Sequence, residues 1–403
     1  MDKNLYSNYI QHWSLDQETI FLNHGSFGAC PTAILDKQNE YRKRLESQPL
    51  RFMLREMETV YLESKEKLAN FVGAATENIV FVRNATTGVN TVLKSLKFNA
   101  GDEIICCNHI YPGVRNTLNY LKERYSIVIR EAEIPFQLQS NQPLIDAFIE
   151  LQSEQTKLVL IDHISSPTAI VFPVQEIVNH FNEFEIDTLV DGAHAPGTVA
   201  LSLDEMGAAY YTGNCHKWIC SPKGSAFLFV RKDKQENIKP LTTSLLHGKN
   251  IDFDQQFSWQ GTEDPTAYLC IGDAIGFMEG IYPDKWPGIM QHNHNLAIEA
   301  RSLIFKDLGV NAAVPDCMIA NLASINLPDS KDSIPSKFNQ FDSLQNRLFH
   351  DFNFEVFITY WPEFPKRLLR ISPQIYNTIE QYEFLSKTLK NVFKIPLRHD
   401  DSK

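Results

Sequence analysis

The hydrophobic positions of the chain fall into short apolar runs that alternate with longer amphipathic segments. Six runs are predicted to be strands, at residues 79–82, 103–107, 127–129, 158–161, 188–190 and 226–230. Amphipathic segments such as 89–96 and 174–183 lie between them and are predicted to be helices. Short strands that are apolar throughout and separated by helices are typical of a mostly parallel sheet covered on both faces. The pattern therefore predicts an α/β fold.

The pattern changes toward the C-terminus. Helical periodicity dominates residues 266–308, short strands are predicted near 319–325, 354–358 and 367–372, and a last helix is predicted at 379–393. This mixture predicts a smaller α+β domain, with a boundary near residues 284–289. We therefore expect an N-terminal segment over 1–20, a large domain over 21–283 and a small C-terminal domain over 284–403.

Composition narrows the class of protein. With 403 residues, 43% hydrophobic and 22% charged, the chain has globular rather than disordered composition. Its net charge of −11, without a long basic run, argues against a nucleic-acid partner. The seven cysteines lack the paired spacing of zinc sites, so we expect free thiols and no metal. Without a signal-peptide core or a membrane-spanning apolar stretch, we expect a cytoplasmic protein.

Asp191 follows a predicted buried strand and precedes Gly192 and Ala193. An ionised carboxylate in that place is costly unless a cation meets it. A protonated pyridine nitrogen is such a cation, and the small neighbours leave room for a flat ring. From the Asp-Gly pair alone, a carboxylate that caps a turn is an equally good interpretation.

Lys217 lies among apolar and aromatic residues in the segment 210–218. Burial there would lower the pKa of its amine, which would then be nucleophilic and able to form an imine. Asn214 and His216 lie nearby and can donate hydrogen bonds to a phosphate. The alternative is an ordinary surface lysine with its head group in water.

A third motif joins the predicted strand 79–82 to a helix through Thr86, Thr87 and Gly88. Free backbone N–H groups at a helix N-terminus favour an anion, and the threonine hydroxyls add donors. Taken alone, the motif is better explained as a threonine N-cap. Together, however, the three motifs supply an anion cradle, a carboxylate and an amine between them. That combination predicts pyridoxal 5'-phosphate (PLP) as the cofactor.

These residues resemble a known family. The segments 21–28, 84–88, 163–168, 191–197, 216–217, 261–264 and 370–372 are similar, in order, to those of the class V aminotransferase superfamily. Within that superfamily the chain most resembles the isopenicillin N epimerase-like group. The resemblance implies a fold-type I PLP-dependent transferase, with a mostly parallel seven-stranded sheet between helices and a smaller C-terminal domain.

The resemblance also implies roles for individual residues. Lys217 would be the catalytic residue, bound to the cofactor as a Schiff base, with Asp191 at the pyridine nitrogen and His194 near the phenolic oxygen. The phosphate would be held by Thr86, Thr87, Asn214 and His216, and by Thr262 across a homodimer interface. Arg370 would bind the substrate carboxylate. Asn23 and His24, in the segment that closes over the substrate, would also bind the substrate.

Two segments refine the resemblance. The residue that stacks on the cofactor ring falls in the segment 108–113; aligning its Pro-Gly pair favours Tyr111, with His109 as the alternative. Cysteine desulfurases carry a mobile catalytic cysteine shortly before the carboxylate-binding arginine. The stretch 353–370 contains no cysteine, which argues against persulfide chemistry of that kind.

The predicted function is that of an enzyme that removes the Cα proton of a small amino acid or a derivative of one. The fate of the resulting carbanion decides the reaction, and the sequence leaves it open. Epimerase-like or aminotransferase-like activity is the first hypothesis, and a C–S lyase that eliminates a β-substituent is the alternative. A protein that binds PLP or a ligand without turnover is the hypothesis of a different class.

Overall fold

The computed structural model describes residues 5–248, 250–334 and 340–394. Its twelve strands are β1 (Ile20–Phe21), β2 (Ile79–Val82), β3 (Glu103–Cys107), β4 (Val128–Ala132), β5 (Thr156–Asp162), β6 (Asp187–Asp191), β7 (Tyr210–Asn214), β8 (Ala226–Val230), β9 (Ala323–Leu327), β10 (Phe354–Glu355), β11 (Phe357–Tyr360) and β12 (Arg367–Ile371). Seven of them form the central sheet, in the order β2-β8-β7-β6-β5-β3-β4. Only β8 runs antiparallel to its neighbours, so the prediction of a mostly parallel sheet is confirmed.

Helices cover both faces of this sheet and build the C-terminal part. They are α1 (His24–Phe27), α2 (Thr32–Ser47), α3 (Pro49–Arg51), α4 (Met57–Val72), α5 (Ala85–Ser95), α6 (Pro112–Tyr125), α7 (Gln142–Ile149), α8 (Val174–Glu183), α9 (Leu203–Met206), α10 (Phe253–Ser258), α11 (Thr266–Leu269), α12 (Ile271–Ile281), α13 (Lys285–Leu308), α14 (Ser343–Phe352) and α15 (Ile379–Val392). One π turn, Phe52–Glu56, joins α3 to α4. Short 3₁₀ turns are at Asn8–His12, Thr76–Asn78, Lys232–Asn237 and Asp316–Met318.

Alternate residues of the strands pack into two different hydrophobic cores. In β5, Leu158 and Leu160 join the core under α5 and α6, whereas Val159 and Ile161 join the core under α4, α7 and α8. A strand buried on both faces must be apolar at every position, which explains why these strands appear in the sequence as continuous runs. The layered α/β prediction is therefore confirmed.

The edge strand β4 differs from its prediction, because it continues to Ala132 instead of ending at residue 129. Its last residues include Arg130 and Glu131, which pair with Glu103 and Arg115 at the rim of the sheet. Charged residues are tolerated on an edge strand, where one side meets solvent. The apolar pattern therefore ended before the strand did.

The C-terminal part holds a three-stranded antiparallel sheet in the order β11-β12-β9. The predicted strand at 354–358 is two short strands, and β10 pairs in parallel with β1 near the N-terminus. The long helix α13 begins at Lys285, within the range predicted for the domain boundary. The three-way division of the chain stays a prediction. In the described parts of the chain, no helix combines the length and the apolar character needed to cross a membrane.

Candidate active site

Two buried carboxyl groups lie at the ends of neighbouring strands β5 and β6. Asp162 and Asp191 are paired in register, so their side chains leave the same face of the sheet. Asp191 is 4% exposed, and its Oδ1 accepts a hydrogen bond of 3.0 Å from the Ala193 N–H. Burial raises the pKa of Asp191, although this hydrogen bond and the charge of Lys217 oppose the shift. A positive charge next to Asp191 would therefore be strongly favoured.

Lys217 lies three residues after the end of β7, and its Nζ is 3.1 Å from His194 Nε2. Burial and the charge of Arg370 lower the pKa of this amine to about 7, against the opposing effect of Asp191. About half of the amines are then neutral at pH 7. The predicted nucleophilic lysine is thus brought next to both Asp191 and His194.

The loop that carries Lys217 is held by His24 from the N-terminal segment. His24 Nε2 lies 3.0 Å from the Lys217 carbonyl oxygen, and Nδ1 lies 2.7 Å from the Tyr376 hydroxyl. Because a carbonyl oxygen only accepts, Nε2 carries the proton and Nδ1 accepts from Tyr376. Burial lowers the pKa of His24 to about 3, which keeps the ring neutral. Both ring nitrogens of His24 are thus occupied by protein partners. This favours a role of His24 in positioning Lys217 over its predicted role in binding the substrate.

Gly28 brings the same segment against the lysine loop. It has a φ of +69°, and a Cβ at this position would lie 2.2 Å from the His216 carbonyl oxygen. Only glycine fits such a backbone approach.

The anion site was predicted at the N-terminus of α5. Asn84 caps it, accepting hydrogen bonds from the N–H (2.8 Å) and the hydroxyl (3.1 Å) of Thr87. Asn214 accepts a 2.9 Å bond from the Ala85 N–H, which fixes the helix start against the end of β7. Thr86 is exposed at this terminus. The threonines were predicted to precede the helix, but they lie within its first turn because the Asn84 cap begins it earlier.

His216, the other predicted phosphate ligand beyond β7, hydrogen-bonds the Ser225 carbonyl oxygen through Nδ1, at 2.9 Å. That contact requires the proton on Nδ1 and leaves Nε2 for another partner. Burial lowers the pKa of His216 to about 4. An anion beside Nε2 would raise this pKa, since it favours the protonated ring.

Arg370 is 2% exposed and lies in the middle of β12. Its Nη1 donates to the Ser166 carbonyl (2.8 Å) and hydroxyl (3.1 Å), and its Nη2 donates to the Ser26 hydroxyl (2.9 Å). Burial lowers its pKa to about 10, so the group stays charged at neutral pH. Its Nε has no hydrogen-bond partner among the described residues, which leaves a donor for a carboxylate.

Ser26 and Ser166 were not predicted as site residues, although both lie in segments that carry the family resemblance. Ser26 is oriented by Asn23, whose Oδ1 accepts its hydroxyl at 2.6 Å. Asn23 therefore acts through Ser26 on Arg370. A single serine in a motif carries no chemical signal of its own, so only the fold reveals this contact.

Tyr111 and His109, the alternatives for the stacking residue, differ in their surroundings. His109 is fully buried, with its ring nitrogens 2.7 Å from the Thr168 hydroxyl oxygen and 2.9 Å from the Ile134 carbonyl oxygen. Tyr111 is 42% exposed at the start of α6, and its phenol is close enough to Arg370 to influence the pKa of the guanidinium. This geometry favours Tyr111, and its stacking role stays a prediction. Thr262 is exposed in the loop after α10.

Comparison with known proteins identifies relatives along the whole chain. The family model described as aminotransferase class-V matches residues 20–328. A probable chloroplastic L-cysteine desulfhydrase of Arabidopsis thaliana is 28% identical, over 96% of this chain and 87% of its own length. Isopenicillin N epimerase of Streptomyces clavuligerus is 26% identical, over 93% of this chain and 95% of its own.

Solved structures of the cystine C–S lyase C-DES have the same fold. The complex with cysteine persulfide gives a TM-score of 0.77 at 19% identity, over 93% of this chain and 97% of the other. A variant with glycine covalently linked to its PLP cofactor gives a TM-score of 0.75 at 17% sequence identity, over 93% of this chain and 96% of the other. The fold is therefore that of fold-type I PLP enzymes, as expected from the sequence.

The grouped side chains fit PLP. Asp191 is a buried carboxyl group in need of a cationic partner, Lys217 supplies a partly neutral amine, and the exposed Thr86 at the start of α5 offers its hydroxyl to a phosphate. His194 Nδ1 is buried without a partner among the described residues. The cofactor is accordingly PLP. With the family match spanning most of its length, this chain belongs to the aminotransferase class-V family.

Proposed function

We propose that the protein is a PLP-dependent C–S lyase that cleaves the bond between Cβ and sulfur in cysteine or an S-substituted cysteine. The observation that carries the proposal is the half-buried Lys217 amine, whose pKa of about 7 is influenced by the charges of Arg370 and Asp191. The names of the desulfhydrase relative and of the C–S lyase with the same fold support this choice among the reactions open to the family.

Each residue has a separate role in this reaction. PLP, when bound, withdraws electrons from the substrate Cα. Asp191 keeps the ring nitrogen protonated, and Arg370 holds the substrate carboxylate. Lys217 takes the Cα proton, and the sulfur leaves Cβ with the bonding electron pair. Hydrolysis of the resulting 2-aminoacrylate gives pyruvate and ammonia, so that cysteine and water yield pyruvate, ammonia and hydrogen sulfide.

The surroundings of the cysteines argue against a persulfide carrier. Cys220 lies three residues after Lys217, with Sγ 3.7 Å from His24 Nε2, and burial raises its pKa above the usual range. A neutral, enclosed thiol neither attacks a substrate sulfur nor delivers a persulfide. Cys220 is therefore unsuited to carry the sulfur, and we propose that the sulfur is released directly.

We also propose that Thr86, Thr87, Asn214 and His216 hold the cofactor phosphate, with Thr262 of a second copy in a homodimer. Exposed apolar side chains support such an interface: Phe27 is 72% exposed and Leu50 is 69% exposed. Phe27 directly follows Ser26 of the site, so a partner there would cover the substrate side. Light scattering on the purified protein would give twice the chain mass; a monomeric holoenzyme would contradict the proposal.

The test of function is product analysis with L-cysteine. We expect sulfide, pyruvate and ammonia in equal amounts, and none of the three from Lys217→Ala. Epimerisation is the second candidate, because the isopenicillin N epimerase matches over nearly its whole length. Exchange of the Cα proton for deuterium without pyruvate would identify epimerisation and overturn the lyase proposal. Keto-acid formation that retains the sulfur would identify transamination instead.

A further inference from the structure

A cleft of about 470 Å³ opens beside Arg370. Its walls come from the segment between β3 and α6, from the end of β4 and the residues that follow it, and from β11 and the residues after it. The lining side chains include Tyr111, Ser166, Phe357, Tyr360, Trp361 and Glu363. A volume of this size is typical of sites for ligands much larger than cysteine. The cleft therefore has room for a substrate that extends well beyond its Cβ.

The cleft is continuous with the substrate-binding end of the site. Ser166, which lines it, accepts two hydrogen bonds from Arg370. The centroid of the Phe357 ring lies 4.5 Å from the guanidinium carbon. Arg370 still has its buried Nε without a partner among the described residues. A substrate anchored there by its carboxylate has the cleft within reach of its side chain.

The charge around the cleft is negative. Glu131, Glu133 and Glu363 line it against a single cation, Arg115. Arg115 pairs with Glu131. Among the described residues, Glu133 accepts a single hydrogen bond, of 3.2 Å from the neutral Asn108 amide. Glu363 is exposed and has no ion pair in the described parts of the chain. Two carboxylates are therefore left to attract a cation.

Aromatic faces form the other wall. Trp361 is held by a 3.3 Å hydrogen bond from Nε1 to the Asn108 carbonyl, and its ring centroid lies 4.5 Å from that of His109. Tyr360 is held by a 2.9 Å bond from its hydroxyl to Asp342. Rings fixed in this way provide rigid surfaces for an ammonium or guanidinium group, which is attracted by the π face.

We propose that this cleft binds the distal part of the substrate, and that the preferred substrate is an amino acid whose side chain ends in a cation. The proposal deepens the proposed function, because it relies on Arg370 as the carboxylate anchor. Glu133 and Glu363 attract the cationic end, and Tyr360 and Trp361 pack against it. An anionic end meets net repulsion in the same place.

The test uses holoenzyme and ligands that cannot undergo elimination. Nε,Nε,Nε-trimethyl-L-lysine, its uncharged isostere 2-amino-7,7-dimethyloctanoate and the anionic 2-aminopimelate would be compared by isothermal titration calorimetry. We expect the cation to bind about tenfold more tightly than the isostere, and the anion most weakly. In Glu133→Gln/Glu363→Gln the preference should fall to within about twofold.

Controls distinguish a failure of the cleft proposal from a failure of the lyase proposal. Glu236→Gln, which changes an exposed glutamate outside the cleft, should keep the full preference. Unchanged affinity of the double variant for L-alanine shows that it is folded and that its anchor is intact. Equal affinity of the wild type for cation and isostere would overturn the inference while leaving the lyase proposal intact. Cation preference without pyruvate release from cysteine or any S-substituted cysteine would support the cleft and overturn the lyase.

Discussion

Asp162 and Asp191 occupy paired positions on neighbouring parallel strands, and both carboxyl groups are buried on the same side of the sheet. Burial raises the pKa of Asp162 well above its usual range, and the neighbouring Asp191 raises it further. Its Oδ2 has no hydrogen-bond partner among the described residues. Two adjacent carboxylates repel each other, so ionisation of both groups is disfavoured. Asp162 therefore keeps its proton, and Asp191 is the carboxylate that faces a cation.

This pair predicts a pH dependence of stability for the cofactor-free protein. A raised pKa in the folded state means that folded Asp162 holds a proton that the unfolded chain has lost. Its contribution to stability is therefore complete below about pH 4 and declines as the pH rises toward the folded pKa. Asp162→Asn removes this decline, so the variant should gain stability relative to wild type between pH 5 and pH 8, by at least about 1 kcal/mol.

Urea unfolding at several pH values measures this difference. Asp351→Asn, at a carboxylate with a 56% exposed side chain, should leave the pH profile as it is. An Asp162→Asn profile parallel to that of wild type would show that Asp162 is ionised in the folded protein.

Lys217 predicts how fast the cofactor-free protein takes up PLP at different pH values. Only the neutral amine attacks an aldehyde, and the pKa of about 7 lets the neutral fraction rise between pH 6 and 8. The rate of imine formation should therefore increase about tenfold over that interval and level off above it. Stopped-flow absorbance of the imine band follows the reaction, and Lys217→Ala should form no band. A rate that still rises steeply above pH 9 would indicate an ordinary exposed lysine.

Gly28 and Gly276 form a matched pair for backbone strain. Gly28→Ala places a Cβ 2.2 Å from the His216 carbonyl oxygen at a φ of +69°, and should destabilise the fold by about 2–4 kcal/mol. It should also displace Lys217 and lower catalytic efficiency. Gly276→Ala lies in α12 with open space around the new Cβ, and should stabilise by up to about 1 kcal/mol. Thermal unfolding and assays of both variants check this contrast; equal effects would refute it.

Arg370 predicts a change in substrate affinity. Arg370→Gln removes the charge that meets the substrate carboxylate and should raise KM by about 100-fold, which reflects loss of a buried charge-assisted pair. Steady-state kinetics with L-cysteine measure it, and Arg347→Gln at an exposed helix position serves as the control. The corresponding amine without a carboxylate, cysteamine, should be affected little. A similar loss with both compounds would mean that Arg370 supports the structure instead of binding the carboxylate.

The sequence alone predicted candidate site residues where a charged residue falls in an apolar segment. Asp191 after an apolar strand and Lys217 among aromatic residues each carry a desolvation cost that demands an explanation. In the structure Asp191 is buried and Lys217 is half-buried. Arg370 and Thr262 could be placed only by resemblance, because neither a strand arginine nor a loop threonine signals a function on its own.

The order of apolar runs and helices determined the layered α/β fold, since strands buried on both faces must be apolar throughout. Tertiary structure alone decided which side chains meet: His24 and Lys217, 193 positions apart, and Ser26 and Arg370, 344 positions apart. It also decided that His109 is enclosed while Tyr111 faces the cleft. The physical reason is that hydrophobic periodicity records only whether a residue is buried. Hydrogen bonds between distant segments depend on how the segments pack, and no local pattern records that.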